Sequence, residues 1–281
     1  MTEVFNPNDI KKLYKPARNS GGEDNGQVTL IGGSRLFHGA PLLSLKVASR
    51  IVDMTFFASP EKSVGMIAEK IKSKLCSFIW ILWNDVEAYI DKSDAVLIGP
   101  GLMRFGSEKT PQNLRNHQGS EEGKLTRELT EKFLKTFPDK KWVIDAGSLQ
   151  TMDADWIPKG AILTPNQKEY KLLFGDIKAK EASKKHNCVI VEKGPTTFVY
   201  SPDECLEIKN GNPGLTKGGT GDVLAGLTVA LFAKNESFQA ACAASYLTKA
   251  AADELYQEVG TLYNADDLAD KIPATFFDRI R

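Results

Sequence analysis

The stretch "NPGLTKGGTGDVLAGL", from Asn212 to Leu227, decides the interpretation of this chain. Four of the eight residues from Gly214 to Gly221 are glycine, and a single aspartate, Asp222, then opens an apolar helix. One or two glycines are enough for a turn with positive φ angles. A longer glycine loop before a helix lets bare N–H groups approach a ligand at the positive end of the helix dipole. The stretch therefore predicts an anion site at the start of a buried helix.

Asp222 stands where that anion would bind. An isolated aspartate before a helix is usually an N-cap. A carboxylate beside a bound phosphate is unfavourable unless it has a chemical role, such as accepting the proton of a hydroxyl that attacks phosphorus. We therefore interpret Asp222 as a general base for phosphoryl transfer to an alcohol. The sequence has neither a Walker A loop, since in "KGGTG" the lysine precedes the glycines, nor a convincing G-x-G-x-x-G fingerprint.

Outside this stretch the sequence predicts an α/β fold. Short, nearly continuous apolar runs are typical of strands covered on both faces, and helical patterns separate them. We expect a three-layer sandwich, with a mainly parallel central sheet and helices on both faces. The last two runs are too close for a crossover helix and predict an antiparallel edge hairpin, to which Cys205–Ile208 would add a third strand. The predicted strands are Val28–Ile31, Thr55–Ala58, Phe78–Leu82, Ala95–Ile98, Trp142–Asp145, Ala161–Leu163, Cys188–Glu192 and Thr197–Tyr200.

Length and composition limit the class of protein and the kinds of partner. The 281 residues suit one domain, with residues 1–25 as an N-terminal lead-in and residues 104–124 as a mobile, polar loop. Acidic and basic residues balance at 36 each, which gives no indication of a nucleic-acid or membrane-surface partner. The four cysteines show no CxxC spacing, and no apolar run approaches the length of a membrane span. We expect a cytoplasmic protein without disulfides or a zinc site.

The glycine loop resembles the signature of the ribokinase-like superfamily, and within it the chain is most similar to the ADP/ATP-dependent NAD(P)H-hydrate dehydratases. Five stretches carry the resemblance, in order, along nearly the whole chain. They are "GQVTLIGGS...HGAPLLSLKVASR" (Gly26–Arg50), "DAVLIGPGL" (Asp94–Leu102), "VIDAGSL" (Val143–Leu149), "LTPNQKE" (Leu163–Glu169) and "VIVEKGPTTFV" (Val189–Val199). The glycine loop alone fits many small-molecule kinases, and the other stretches narrow the resemblance to the dehydratases.

The resemblance implies an enzyme of nicotinamide-cofactor repair. Hydrated NADH or NADPH carries a ring hydroxyl, which a nucleotide phosphorylates in this family. The phosphate then leaves and NAD(P)H is restored, so the overall reaction is that of a hydro-lyase. The resemblance also implies ADP or ATP as the phosphoryl donor, Mg²⁺ bound to the phosphates without a dedicated protein cage, and a homo-oligomer. Since only about 25 residues precede Gly26, too few for a domain, we expect the related epimerase to be a separate chain.

The resemblance assigns roles to individual residues. Asp222 would deprotonate the ring hydroxyl, and the N–H groups of Gly219, Thr220 and Gly221 would form an anion hole for the transferring phosphoryl group. The residues that would bind the nucleotide are Lys193, Gly194, Pro195, Thr196, Thr197 and Gly221. Ala40, Gly101, Asn166 and Asp222 would line the pocket for the hydrated nicotinamide. Each has a plainer interpretation: an exposed lysine for Lys193, a helix start for Ala40, a turn for Gly101 and a cap for Asn166.

Two carboxylates would support the site. Asp145 ends a strand at the edge where open α/β sheets bind ligands, and with Glu169 it would order water bound to the metal. Thr164 as the N-cap, Pro165 at N1 and Gln167 at N3 suit the start of the next helix, which would leave Asn166 free to face the site. Bacterial members usually read "TPHPGE" here, so an amide replaces a potential proton donor and the choice between ADP and ATP stays open.

Two other classes of function remain at this point. A kinase that phosphorylates a vitamin-precursor or sugar alcohol would use the same glycine loop and the same aspartate. A nucleotide-binding module without catalysis would keep the loop, although an intact Asp222 argues against it.

Overall fold

The computed structural model describes residues 2–106 and 121–281. Within these ranges, ten strands form a single sheet in the order β1-β10-β9-β8-β7-β6-β5-β2-β3-β4. Neighbouring strands are parallel except for β8–β9 and β9–β10. The strands are β1 (Glu3–Val4), β2 (Gln27–Ile31), β3 (Met54–Ala58), β4 (Ile79–Trp80), β5 (Ala95–Ile98), β6 (Lys141–Ile144), β7 (Ile162–Leu163), β8 (Val189–Glu192), β9 (Thr197–Tyr200) and β10 (Cys205–Ile208).

Ten α-helices flank the sheet in the described part of the chain. They are α1 (Gly39–Ala48), α2 (Lys62–Ile71), α3 (Val86–Lys92), α4 (Glu121–Thr136), α5 (Ala146–Thr151), α6 (Gln167–Phe174), α7 (Ala179–His186), α8 (Thr220–Lys234), α9 (Ser237–Val259) and α10 (Ala265–Ile280). Short 3-10 turns lie at Pro7–Lys12, Trp83–Asp85, Ala154–Trp156 and Pro213–Thr216. None of the described helices combines the length and the apolar character that a bilayer crossing requires.

The sheet separates two apolar cores. Helices α1, α2, α8, α9 and α10 pack on one face, and α3 to α7 pack on the other. Successive strand residues serve the two faces in turn: Val143 lies in the first core, whereas Trp142 and Ile144 lie in the second. Because the central strands are covered on both sides, they are apolar along most of their length. The predicted α/β sandwich is confirmed.

Helix α8 lies at the centre of the first core. Of its 15 residues, 12 are buried, so the helix is apolar almost all round rather than on one stripe. It packs against α1, α9 and α10. The start of α8, which carries the glycine loop and Asp222, is therefore held rigidly against the carboxyl edge of the sheet.

Two details differ from the sequence-based expectations, and one prediction lies mostly outside the described residues. The lead-in is not separate from the sheet, because β1 pairs in parallel with β10 and forms the outer edge beside the predicted hairpin. The predicted loop at residues 104–124 lies mostly outside the described residues, since 107–120 are not among them. Residues 121–124 were wrongly included in that loop, since α4 begins at Glu121 and buries Gly123. Polar composition hid this first turn because it faces solvent on most of its sides.

Candidate active site

Three adjacent parallel strands deliver the polar side chains of the site. Asp145 follows β6, Thr164 follows β7, and Lys193 follows β8. Since the strands are parallel, their carboxyl ends meet at one edge of the sheet, where open α/β sheets bind ligands. The glycine loop and the start of α8 lie at the same edge, because Gly221 faces Lys193: a Cβ at Gly221 would lie 3.5 Å from Lys193 Nζ.

Asp145 is the buried centre of this cluster. Its side chain is 3% exposed, and its Oδ1 accepts hydrogen bonds from Lys193 Nζ at 3.0 Å and from Thr164 Oγ1 at 2.8 Å. A buried carboxylate is tolerated only when it is paired and hydrogen-bonded, and both conditions hold here. The plain interpretation of Lys193 as an exposed lysine is wrong, because its side chain is only 21% exposed and is ion-paired.

The electrostatics of Lys193 follow from its neighbours. Burial lowers the pKa of the Lys193 ammonium, but attraction to Asp145, Glu169 and Asp222 outweighs burial, and the pKa lies above its usual value. Lys193 is therefore a permanent cation surrounded by three carboxylates.

Asn166 and Glu169 form a reciprocal cap at the start of α6. Asn166 Oδ1 accepts from the N–H groups of Lys168 at 2.9 Å and Glu169 at 3.0 Å, while Glu169 Oε2 accepts from Asn166 N–H at 2.8 Å. This capping box corrects the expectation that Thr164 caps the helix. Thr164 instead donates its hydroxyl to Asp145. The plain interpretation of Asn166 as a cap is correct for its oxygen, and the residue also lines the cleft described below.

Glu169 is the second buried carboxylate. It is 6% exposed, and its Oε1 accepts from Gln150 Nε2 at 3.0 Å. Burial and repulsion by Asp145 raise its pKa above the usual value. Both supporting carboxylates of the sequence analysis thus lie in one cluster with Lys193.

Asp222 occupies the first turn of α8. Its backbone oxygen accepts a hydrogen bond from Ser44 Oγ of α1 at 2.7 Å, which fixes the turn that carries the carboxylate. Burial, together with repulsion from Asp145, raises the pKa of Asp222 to about 7, although Lys193 acts in the opposite direction. A carboxylate poised near neutral pH is suited to accept and release a proton.

The glycine loop presents N–H groups beside Asp222. Gly219 is the N-cap of α8 with φ 94°, and a Cβ there would lie 2.5 Å from Leu43 Cδ1 and 2.8 Å from Ala265 Cβ. Val223 N–H donates to Gly219 O at 3.1 Å, and Thr220 N–H donates to Lys217 O at 3.4 Å. Between them, Gly221 N–H has no backbone acceptor among the described residues and is available for an anion, whereas Asp222 N–H bonds its own carboxylate.

Thr220 differs from the other two members of the predicted anion hole. Its hydroxyl donates to Leu215 O at 2.7 Å and Lys217 O at 2.9 Å, and its N–H also faces Lys217 O at 3.4 Å. These bonds close the glycine loop on itself. Of the three predicted donors, Gly221 N–H is therefore favoured by the geometry over Thr220 N–H, and the role of Gly219 N–H stays a prediction.

Tyr263 and Lys217 brace this loop from behind, which the sequence did not indicate. Tyr263 is 2% exposed, and its hydroxyl donates to Asn212 Oδ1 at 2.8 Å. The same oxygen accepts from Gly214 N–H at 3.0 Å. Lys217 Nζ donates to the backbone oxygens of Thr261 and Tyr263. No motif signals these contacts, because they join segments about 45 to 50 residues apart.

A cleft of about 670 Å³ opens beside the glycine loop and Lys193. Its walls are the turn between β8 and β9, the segment before α8, and one side of α9. Its volume lies in the range of small-molecule and cofactor sites. We call it the donor cleft; its lining residues are Asn166, Lys193, Gly194, Pro195, Thr197, Gly211, Asn212, Pro213, Leu215, Thr216, Lys217, Thr220, Gly221, Leu224, Ser245, Thr248 and Lys249. Thr196 belongs to the same turn without lining the cleft.

Ala40 and Gly101 lie away from the donor cleft. Ala40 is in the first turn of α1, four residues before Ser44, which contacts Asp222. Gly101 has φ 73°, and a Cβ there would lie 2.4 Å from Phe37 O. Gly101, in the loop after β5, thus touches the segment that leads from β2 into α1, and Ala40 shares the face of α1 that carries Ser44.

The charges of the cluster suit a divalent cation held through phosphates. Three carboxylates, of Asp145, Glu169 and Asp222, face one lysine, and each of the first two raises the pKa of a neighbour. Such an excess of negative charge fits Mg²⁺, which keeps several waters and needs only one or two carboxylates besides phosphate oxygens. Among residues 2–106 and 121–281, no group of three or more His, Cys, Asp and Glu side chains forms a cage for a metal.

The chain matches known proteins over nearly its whole length. A sequence model described as NAD(P)H-hydrate dehydratase matches residues 28–274. The bifunctional NAD(P)H-hydrate repair enzyme of Methanocaldococcus jannaschii is 34% identical over 277 residues, which are 94% of this chain and 51% of that protein. The ADP-dependent (S)-NAD(P)H-hydrate dehydratase of Cenarchaeum symbiosum is 28% identical, covering 99% of this chain and 98% of that protein.

A solved structure shares the fold. The ADP/ATP-dependent NAD(P)H-hydrate dehydratase of Bacillus subtilis, co-crystallized with ATP and Mg²⁺, superposes with a TM-score of 0.76 at 23% identity. The match covers 100% of this chain and 99% of that one. The chain spans about half the length of several bifunctional relatives that it matches. Given the match over residues 28–274, the chain belongs to the NAD(P)H-hydrate dehydratase family.

Proposed function

We propose that this chain dehydrates hydrated NADH and NADPH to NAD(P)H, with ADP or ATP as the phosphoryl donor. The observation that carries the proposal is the position of Asp222, a half-buried carboxyl with a pKa of about 7 that directly follows Gly221 and lies in the field of Lys193. Membership of the dehydratase family supplies the substrate class.

The first step is phosphoryl transfer to the ring hydroxyl. Asp222 takes the proton of the hydroxyl as its oxygen attacks the terminal phosphorus of the nucleotide. The bond between that phosphorus and the nucleotide's bridging oxygen breaks. The N–H groups of Gly219 and Gly221, at the positive end of α8, stabilise the charge that spreads over the transferred group. The proton held by Asp222 returns to solvent.

The second step is elimination. The carbon–oxygen bond of the new phosphate ester breaks, phosphate leaves with the bonding electrons, and a proton is lost from the neighbouring ring carbon. The dihydropyridine ring of NAD(P)H is then complete. Phosphorylation makes this step possible because phosphate is a far better leaving group than hydroxide.

The donor nucleotide is proposed to occupy the donor cleft. Lys193 and the turn from Gly194 to Thr197 would contact its phosphates, and Ala40, Gly101 and Asn166 would border the nicotinamide of the substrate. Bound Mg²⁺ would neutralise phosphate charge, with Asp145 and Glu169 holding it through water. Lys193 keeps the charge of Asp145 balanced while the donor is absent.

A direct assay tests the function. Purified protein is mixed with Mg²⁺ and hydrated NADH or NADPH, and ADP and ATP are supplied separately. We expect the absorbance band of reduced nicotinamide to return only when a nucleotide is present, and not with the Asp222→Asn variant. Accumulation of a stable phosphate ester without that band would identify a kinase and contradict the proposal.

Two further properties are proposed from family membership. We expect the chain to form a homo-oligomer, which sedimentation velocity measures. We also expect it to act together with an epimerase that interconverts the two hydrate epimers. Without the epimerase the reaction should stop when one hydrate epimer is used up. With the epimerase added, both epimers should be consumed.

A further inference from the structure

One turn of α9 touches both walls of the donor cleft. Lys249 and Asp253 lie four residues apart on this helix and therefore share a face. Lys249 is only 6% exposed, and its Nζ donates to Pro195 O at 2.7 Å and to Ile208 O at 3.4 Å. Pro195 is in the turn after β8, so the ammonium holds the wall that contains Lys193.

Asp253 holds the opposite wall. Its Oδ2 accepts from Gly211 N–H at 2.9 Å, and its Oδ1 accepts from Asn212 Nδ2 at 3.0 Å. Asn212 is the residue whose side chain also bonds Gly214 and Tyr263 at the base of the glycine loop. Asp253 is thus connected through Asn212 to the loop that leads into Asp222.

Lys249 also meets the wall that Asp253 bonds. A Cβ at Gly211 would lie 3.1 Å from Lys249 Cγ, so the stem of the lysine packs on the wall that Asp253 bonds. The ammonium at the end of that stem bonds the other wall. One lysine side chain therefore reaches from the wall at Gly211 to the wall at Pro195.

A buried lysine is unfavourable unless it has a specific partner. Burial lowers the pKa of Lys249 to about 8, although Asp253 acts in the opposite direction. The residues that follow it, Ala250, Ala251 and Ala252, are small, apolar and buried. An apolar side chain would satisfy the packing here, whereas only a cationic or amide donor satisfies the two backbone oxygens.

We propose that Lys249 and Asp253 are positioning residues that set the width of the donor cleft, so that nucleotide binding, rather than the chemical step, depends on them. The inference rests on the proposed function in one respect, namely that the cleft takes an adenine nucleotide. Neither residue touches the reacting atoms.

The test compares Lys249→Met with Lys180→Met. Lys180 is a matched control, because its Nζ also donates to two backbone oxygens, those of Ser201 at 3.0 Å and Glu204 at 3.2 Å, but outside the cleft. Dissociation constants for ADP and for ATP are measured by calorimetry with the full chain, and kcat and KM for the nucleotide are measured in the dehydration assay. Thermal unfolding checks that each variant is folded; Lys249→Gln replaces Lys249→Met if the latter does not fold.

We expect Lys249→Met to weaken nucleotide binding and to raise the nucleotide KM about tenfold, as the loss of a charged hydrogen bond predicts, with kcat changed less than about twofold. Lys180→Met should bind nucleotide like the wild type, and Lys249→Arg should recover part of the affinity. A folded Lys249→Met with unchanged affinity, or an equal loss in Lys180→Met, would overturn the inference.

Failure of the proposed function would look different. If the wild type binds ADP or ATP but does not dehydrate hydrated NADH or NADPH, the proposed function is wrong. The nucleotide affinities of Lys249→Met and Lys180→Met still test the role of Lys249 in that case. A wild-type chain that binds neither nucleotide overturns the inference as well.

Discussion

The ammonium of Lys193 donates to Asp145 Oδ1 at 3.0 Å, across 48 residues of chain. Strand β7 lies between the strands that deliver these two residues. The same ammonium faces Gly221 at the start of α8, so one cation connects the edge of the sheet to the turn that carries Asp222. The protonation of Asp222 consequently depends on Lys193, and three of the predictions below follow from this arrangement.

The first prediction concerns the pH dependence of the wild-type enzyme. Asp222 must be ionised to accept a proton, and its pKa in the folded protein is about 7. We expect kcat/KM to rise with pH, with an inflection near 7, rather than near the usual carboxyl value. A pH series in buffers of constant ionic strength measures the profile. Activity that is flat between pH 6 and 8 would be incompatible with Asp222 as the base.

The second prediction is that Lys193→Met moves this inflection upward. Lys193 is a cation that lowers the pKa of Asp222, so its removal favours the protonated carboxyl. We expect the alkaline shift to accompany a loss of activity of about 100-fold, since the phosphates also lose a charge partner. Lys193→Arg keeps the positive charge and serves as the control, with an inflection close to that of the wild type. An inflection that does not move in Lys193→Met would show that Lys193 and Asp222 are not coupled.

The third prediction is that Asp222→Asn removes activity but stabilises the fold. The pKa of Asp222 rises from 3.8 to about 7 on folding, so ionisation of this carboxyl opposes folding as the pH rises. Above pH 7 the free energy of unfolding of the variant should exceed that of the wild type by about 1 to 3 kcal/mol. This range is smaller than the full pKa shift would give, because the Asp222 side chain is only half-buried and solvent screens its charge.

The gain in stability should itself depend on pH. It should shrink as the pH falls from 7 towards 4, because the folded wild type then becomes protonated at Asp222. Urea unfolding of both proteins at pH 8 and pH 5 measures the difference. A variant that is less stable than the wild type at pH 8 would contradict the raised pKa.

The fourth prediction separates two neighbouring glycines. Gly219→Ala should destabilise the protein by about 1 to 3 kcal/mol, because φ is 94° and the new Cβ would lie 2.5 Å from Leu43 Cδ1. Gly218→Ala is the control, since a Cβ there meets nothing within 4 Å. Its effect on stability should stay within about 0.5 kcal/mol. Chemical denaturation of the two variants measures both values; equal losses would argue against the packing of Gly219 on α1.

Local patterns in the sequence predicted the elements of the fold. Each predicted strand is present within a few residues, because a run such as Ala95–Ile98 is apolar wherever it stands in the sheet. Asn264 and Asp267 have the three-residue spacing of a capping box, and the structure has the reciprocal cap between them at the start of α10. The one wrong cap, Thr164, stood two residues from a second good candidate, Asn166. Sequence alone could not choose between them, because the choice depends on Asp145, which occupies the Thr164 hydroxyl.

The amino-acid sequence thus determined by itself where strands and helices form, where the glycine loop lies and that a carboxylate follows it, since each depends on neighbouring residues. Only the tertiary structure decided that Lys193 pairs with Asp145, that Tyr263 supports Asn212, and that Lys249 reaches Pro195. Those contacts join residues 48 to 54 positions apart. They form because the order of strands in the sheet and the packing of α9 on it bring distant segments together, and local periodicity carries no record of that order.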